Sequence, residues 1–133
     1  MSGSLKITFC LRRLPSFSQQ AFLDYWHVNH APLVRRHAAA LRIARYIQLV
    51  PQQTPLSGPM MKARGAPEPF DGVAELWFAS VGDLEASVRD KAASVAGREL
   101  LEDERRFIDL ARSPLWYSHE RLIIGAPTPV DAQ

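Results

Sequence analysis

Hydrophobic positions fall along this chain in two rhythms, one suited to strands and one to helices. Leu5 to Leu11 (LKITFCL) is an apolar run with β-branched and aromatic residues, which predicts a strand buried on most of both faces. Arg12, Arg13 and Leu14-Pro15 end it. Ser16 with Gln19 three residues on has the form of a capping box, and Ser18 is the rival N-cap. Phe22, Leu23, Tyr25 and Trp26 then recur at helical spacing, continued by His30, Leu33, Val34 and His37. Pro32 lacks a backbone donor and clashes with the carbonyl of Val28, so the helix is predicted to break or kink near Asn29-His30-Ala31. A second piece, about Pro32 to Ala39, restarts with the proline in its first turn. Leu41 to Val50 (LRIARYIQLV) alternates as a strand, with Arg45 out of phase.

The stretch from Pro51 to Pro69 holds five prolines and two glycines, so neither helix nor central strand is expected. It reads either as an insertion without function or as a flap over a pocket or a dimer-wrapping arm. Met60 and Met61 favour contact with something apolar. Val73 to Ala79 (VAELWFA) is a strong strand, and Ser80 with Asp83 caps the helix after it. That helix places Leu84, Val88, Ala92 and Val95 on one face, with Gly97 as its stop. A further helix, about Arg98 to Ala111, puts Leu100, Leu101, Glu104, Phe107, Ile108 and Ala111 at core spacing. Leu115 to Ile124 (LWYSHERLII) is the last strand, and residues 126–133 read as a frayed tail.

The order β-α-β-loop-β-α-α-β predicts a single α+β domain over residues 5–125, with the proline-rich loop 51–69 inside it. It is the ferredoxin-like βαββαβ plan: a four-stranded antiparallel sheet with helices on one face. Val73, Trp77, Trp116, Leu122 and Ile124 cannot all lie under two or three helices, so a second layer is required. A second copy of the same sheet supplies it most simply, which predicts a homodimer.

Composition narrows the function classes. Hydrophobic residues make up 47% and charged residues 23%, a globular balance. No apolar stretch approaches the ~20 residues of a membrane span, and no basic segment leads into an apolar run at the N-terminus, so a cytoplasmic protein without membrane association is expected. The 13 arginines are scattered and interleaved with acids in the second half, with no basic stripe carrying alternating aromatics, which argues against nucleic acid. The single cysteine, Cys10, excludes an internal disulfide and any all-cysteine metal site, and its apolar run predicts a buried, inert thiol.

Three segments in order carry a family resemblance. FLDYWHVNHAPLV (Phe22 to Val34) resembles the helix signature of the EthD domain family. FDGVAELWF (Phe70 to Phe78) is similar to its central strand, and LLEDERRFIDLARSP (Leu100 to Pro114) to its last helix and the turn after it. The resemblance implies a dimeric α/β barrel, in which two sheets pair face to face around a site for a small apolar or aromatic molecule. Its founding member accompanies a cytochrome P450 system that degrades fuel ethers. Fungal relatives act as decarboxylases or dehydratases on small aromatic compounds, and broader kin include cyclases and monooxygenases.

Two residues stand out as candidate catalysts. His30 shares an inward helical face with Trp26 and Val34, beside the predicted backbone break, and histidine moves protons near neutral pH. It also stands in the resembling signature itself; the alternative is that its ring braces the kink. Glu75 lies mid-strand on the face of Val73 and Trp77, where a carboxylate needs a partner or a raised pKa. The expectation is that the two approach one another, Glu75 orienting His30 as general base, with Tyr25, Trp26, Tyr46 and Trp77 as an aromatic wall. His27, His30 and His37 lack metal-ligand spacing and there is no glycine-rich phosphate loop, so neither metal nor other cofactor is expected. The function read this way is cofactor-free acid–base catalysis, of lyase, decarboxylase or cyclase type. The alternatives are a non-catalytic binding or accessory protein for a partner oxygenase, and a monooxygenase of the wider superfamily.

Overall fold

A computed structural model describes residues 5–127, so the predicted tail lies outside the described residues from position 128 onward. Four strands, β1 (Leu5–Leu11), β2 (Ile43–Leu49), β3 (Gly72–Phe78) and β4 (Leu115–Ser118), pair antiparallel in the order β2-β3-β1-β4. This is the ferredoxin-like order the element sequence predicts. Helices α1 (Gln19–Tyr25), α2 (Ala31–Leu41), α4 (Val81–Arg89) and α5 (Lys91–Glu104) accompany the sheet, and α3 (Ser57–Arg64) lies within the proline-rich segment.

Alternation along the strands decides which side chains meet the helices. Ile7, Phe9 and Leu11 of β1 pair with Leu76, Ala74 and Gly72 of β3, and all share the helix-covered face. There Phe22, Trp26 and Phe107, each at most 1% exposed, fill the core, with Phe22 5.8 Å from Trp26 and 5.5 Å from Phe107 between ring centroids. A Cβ on Gly72 would come within 2.5 Å of the Trp26 ring, so that strand position admits the indole only because it carries no side chain. Lys6, Thr8, Cys10, Val73, Glu75, Trp77 and Trp116 alternate onto the opposite face, and Cys10 is buried as expected.

Several boundaries depart from the sequence-based expectation. Ser18, not Ser16, caps α1, its hydroxyl accepting from the Ala21 amide at 3.1 Å. The second helical piece does start near Pro32, α2 beginning at Ala31 with that proline in its first turn, but the chain before it does not leave the helical region. Trp26–His30 forms a π-helical turn in which the Ala31 amide donates to the Trp26 carbonyl five residues back, and Ala31 itself stays helical (φ −57, ψ −43). The wider turn shifts the carbonyl that would meet the proline ring, so the chain runs on into α2. Strand β2 begins two residues late because Arg42 (φ 58) closes α2 in the left-handed conformation. The proline-rich segment does form a helix. Pro59 occupies the first turn of α3, where backbone donors have no helical partner in any case, and Gly65 (φ 57) closes it.

The α4–α5 break falls at Asp90, whose carboxylate caps α5 by accepting from the Ala92 amide at 3.1 Å. Gly97 therefore lies inside a helix rather than ending one, and Val88 and Val95 are exposed. Helix α5 stops at Glu104, because the following residues turn to pair with the end of β1: Leu14 donates to the Phe107 carbonyl and Asp109 to that of Arg12. The last strand is four residues long, and residues 119–127 run on without regular structure. No helix among the described residues is long and apolar enough to cross a membrane.

Candidate functional site

The π-helical turn brings two neighbours of the core inward together: Trp26, 1% exposed, and His30, 5% exposed. Opposite them α5 presents Asp103, whose carboxylate is the hub of the region. Its Oδ2 lies 2.7 Å from His30 Nδ1, and its Oδ1 accepts from the Tyr25 hydroxyl at 2.6 Å and from Arg106 at 3.0 Å. The His30 ring also packs on Phe107, with centroids 5.2 Å apart.

Burial sets the protonation of this group. It lowers the His30 pKa below the usual histidine value, more than the Asp103 carboxylate raises it, so the imidazole is neutral near pH 7. Burial also pushes Asp103 upward, but the hydrogen bonds from Tyr25, His30 and Arg106 outweigh it and hold the carboxyl below its usual range. A neutral imidazole facing a carboxylate carries its proton on Nδ1, which leaves Nε2 as a free base.

The inner cavity beside this pair has a volume of about 40 Å³ and is lined by His30, Trp26, Val34, Tyr46, Glu104 and apolar side chains of the sheet and α5. That is about the room of one water molecule. A groove of about 250 Å³ between α2 and β2 shares Val34 and Tyr46 with it, so groove and cavity adjoin at these two residues. Glu104 has its pKa raised to about 7, by burial first and by the neighbouring Asp103 second, with no hydrogen bond offsetting either. The site therefore combines a free imidazole nitrogen with a carboxyl able to hold a proton near neutral pH, the two halves of an acid–base pair. A larger cleft of about 500 Å³ is lined by Arg12, Arg13 and Arg112, but Arg12 is bonded to the Pro69 and Glu68 carbonyls and Arg13 to Asp71.

The predicted site residues divide between the two faces of the sheet. Tyr25, Trp26 and Tyr46 do gather around His30, Tyr25 through Asp103. Glu75 and Trp77 do not. Strand alternation puts both on the face away from the helices, where Glu75 is paired with Lys6 at 2.7 Å. Trp77 lies there between Lys6 and Arg45, 5.1 and 4.6 Å from its ring. The expected His30–Glu75 pair thus gives way to His30–Asp103. Asp103 was missed because nothing local marks its partner; Glu104 carried a signal, a carboxylate at core spacing between Leu100 and Ile108. No group of three or more His, Cys, Asp or Glu among the described residues is arranged to hold a metal ion.

The EthD domain pattern matches residues 14–111 of the chain. An EthD family protein of Bacillus halodurans shares 18% identity over 89% of this chain and 99% of its own, with a TM-score of 0.58. An EthD-like protein of Ralstonia eutropha shares 19% identity over 90% of this chain and 93% of its own, with a TM-score of 0.56. SnoaB, a cofactor-independent oxygenase of Streptomyces nogalater, is similar at 9% identity over 94% of this chain and 100% of its own, with a TM-score of 0.54. At these identities the likeness is one of fold. No curated protein matches the chain.

Proposed function

The chain belongs to the EthD domain family, and on that premise we propose that it is a cofactor-free acid–base enzyme acting on a small aromatic or apolar compound. The observation that carries this reading is the His30–Asp103 pair at 2.7 Å, set beside Glu104 at one small cavity. His30 Nε2 takes a proton from an activated C–H or O–H of the substrate. Asp103 holds the ring orientation and stabilises the imidazolium that forms, and Tyr25 and Arg106 hold Asp103. Glu104, protonated near neutral pH, returns a proton to the product. The groove between α2 and β2 receives the body of the molecule, and its reacting atom passes Tyr46 to reach His30. We further propose that the protein works as a homodimer, joined through the sheet face away from the helices.

Proton transfer can be read without the physiological substrate. 2-Tetralone, a small aromatic ketone, has an acidic C–H next to its carbonyl. Incubated with the protein in D2O, it should exchange that hydrogen for deuterium faster than in buffer, as followed by proton NMR. The proton leaves to His30 and a deuteron returns, so no co-reactant is consumed. His30→Ala should reduce the rate to that of buffer while the protein stays folded. If wild type gives no acceleration although it binds the ketone, the acid–base reading fails and a purely binding role remains.

A further inference from the structure

Tyr46 was expected only as part of an aromatic wall, yet its hydroxyl sits in a fixed hydrogen-bond frame. Gln48 Nε2 lies 3.1 Å from the Trp26 carbonyl and 3.0 Å from the Tyr46 hydroxyl oxygen. A carbonyl can only accept, so the Gln48 atom facing it must be the amide NH2, and the same nitrogen then donates to Tyr46. The tyrosine oxygen is thus an acceptor toward Gln48, and its one proton is left for another direction. Tyr46 lines both the groove and the cavity, the latter together with Val34, His30 and Glu104. The hydrogen bond found at the Tyr46 hydroxyl is the one from Gln48, not one to Glu104.

From this geometry we infer that Gln48 is a positioning residue that turns the Tyr46 hydroxyl proton toward the cavity, and that the site takes a small planar compound presenting an acceptor oxygen there, a ketone or its enolate. The inference rests on the proposed function and extends it. His30 removes the proton from carbon while Tyr46 donates a hydrogen bond to the oxygen on which the negative charge develops. The π-helical turn has a part in this, because the Trp26 carbonyl it displaces is the anchor that fixes the Gln48 amide.

The test compares 2-tetralone with tetralin, which has the same rings but no oxygen, by ligand-observed NMR titration of the full chain. Wild type should prefer the ketone by about five- to tenfold, the range of one neutral hydrogen bond. Tyr46→Phe should bring the ratio close to one. Gln48→Leu should lower it at least about threefold while tetralin affinity stays unchanged, since the hydroxyl is then free to turn away. Gln48→Glu, whose ionised carboxylate accepts from Tyr46 instead of donating to it, should lower it further and serves if the leucine variant folds poorly. A merely structural role for Gln48 would weaken both ligands together, and that result, or an unchanged ratio, overturns the inference. His30→Ala should keep the preference while losing deuterium exchange, so failure of the base and failure of the oxygen contact are read separately. Binding of neither ligand by wild type overturns both.

Discussion

At the scale of single residues, the site depends on which proton sits where. Asp103→Asn removes the acceptor that keeps the His30 proton on Nδ1, and an amide in its place favours the other tautomer. The expected result is a fall in deuterium exchange of about 10²–10⁴-fold with ketone binding retained, measured by the NMR assay described above. Glu104 gives a signed stability effect. Folded, it holds its proton up to about pH 7; unfolded, it releases it near the ordinary 4.5. Between these values the folded state binds the extra proton, so the contribution is fully present below about pH 4.5 and is lost as pH rises through 7. Glu104→Gln should therefore raise the melting temperature at pH 8, by an amount worth on the order of 1–3 kcal/mol, and leave it nearly unchanged at pH 4.5. His30 acts in the opposite sense: its lowered folded pKa makes stability fall on acidification below about 6.5, and the glutamine variant should retain that acid limb. His30 was legible in the sequence because its helical face is a local pattern. Its true partner was not, because Asp103 is 73 residues away and only the packing of α5 against the π-helical turn joins them. Glu75 looked equally suitable, since strand alternation told its face relative to Trp77 but not which face the helices cover.

At the scale of elements, strands β1 and β3 and the cap at Ser80 were readable because they rest on local chemistry: short apolar runs with β-branched and aromatic residues, and a hydroxyl accepting from the Asp83 amide. Helix ends were less so. Gly97 is a residue that usually punctuates, but it is overruled by its surroundings. Gly97 sits mid-helix, and a Cβ there would approach only Leu41, at 4.0 Å. Gly97→Ala should therefore stabilise the protein by about 0.5–1 kcal/mol in denaturant unfolding, through reduced freedom of the unfolded chain. Gly72 is the contrasting case. Its Cβ would strike a fully buried indole at 2.5 Å, with the sheet backbone behind it. Gly72→Ala should destabilise by roughly 1–3 kcal/mol and, by displacing Trp26, also slow exchange at the site it helps to frame.

At the scale of the whole molecule, helices cover one face of the sheet, and the other is where the unresolved demand of the sequence lies. The β4 edge and the segment after it leave Leu115, Trp116, Tyr117, Leu122, Ile123 and Ile124 exposed, Ile124 to 91%. On the same side of the sheet as Trp116, the Trp77 indole nitrogen is buried without a hydrogen-bond partner among the described residues. Exposed apolar side chains of this kind suit an interface, and under the proposed homodimer a second copy would cover Trp116 by two-fold symmetry. Trp116 stands beside Thr8 on this face, half-exposed, where a charge would be buried by such a partner. Wild type should run in size-exclusion chromatography with light scattering at twice the 14.9 kDa chain mass, and Trp116→Glu should run as a folded monomer, because an unpaired carboxylate cannot be buried across an apolar interface. The cavity lies on the other side of the sheet from this face, so the monomeric variant should still bind 2-tetralone, more weakly only where pairing stiffens the strands that carry Tyr46 and Gln48. A wild-type protein that stays monomeric at concentrations well above those of the titrations would overturn the face-to-face pairing and leave the cavity argument standing on its own.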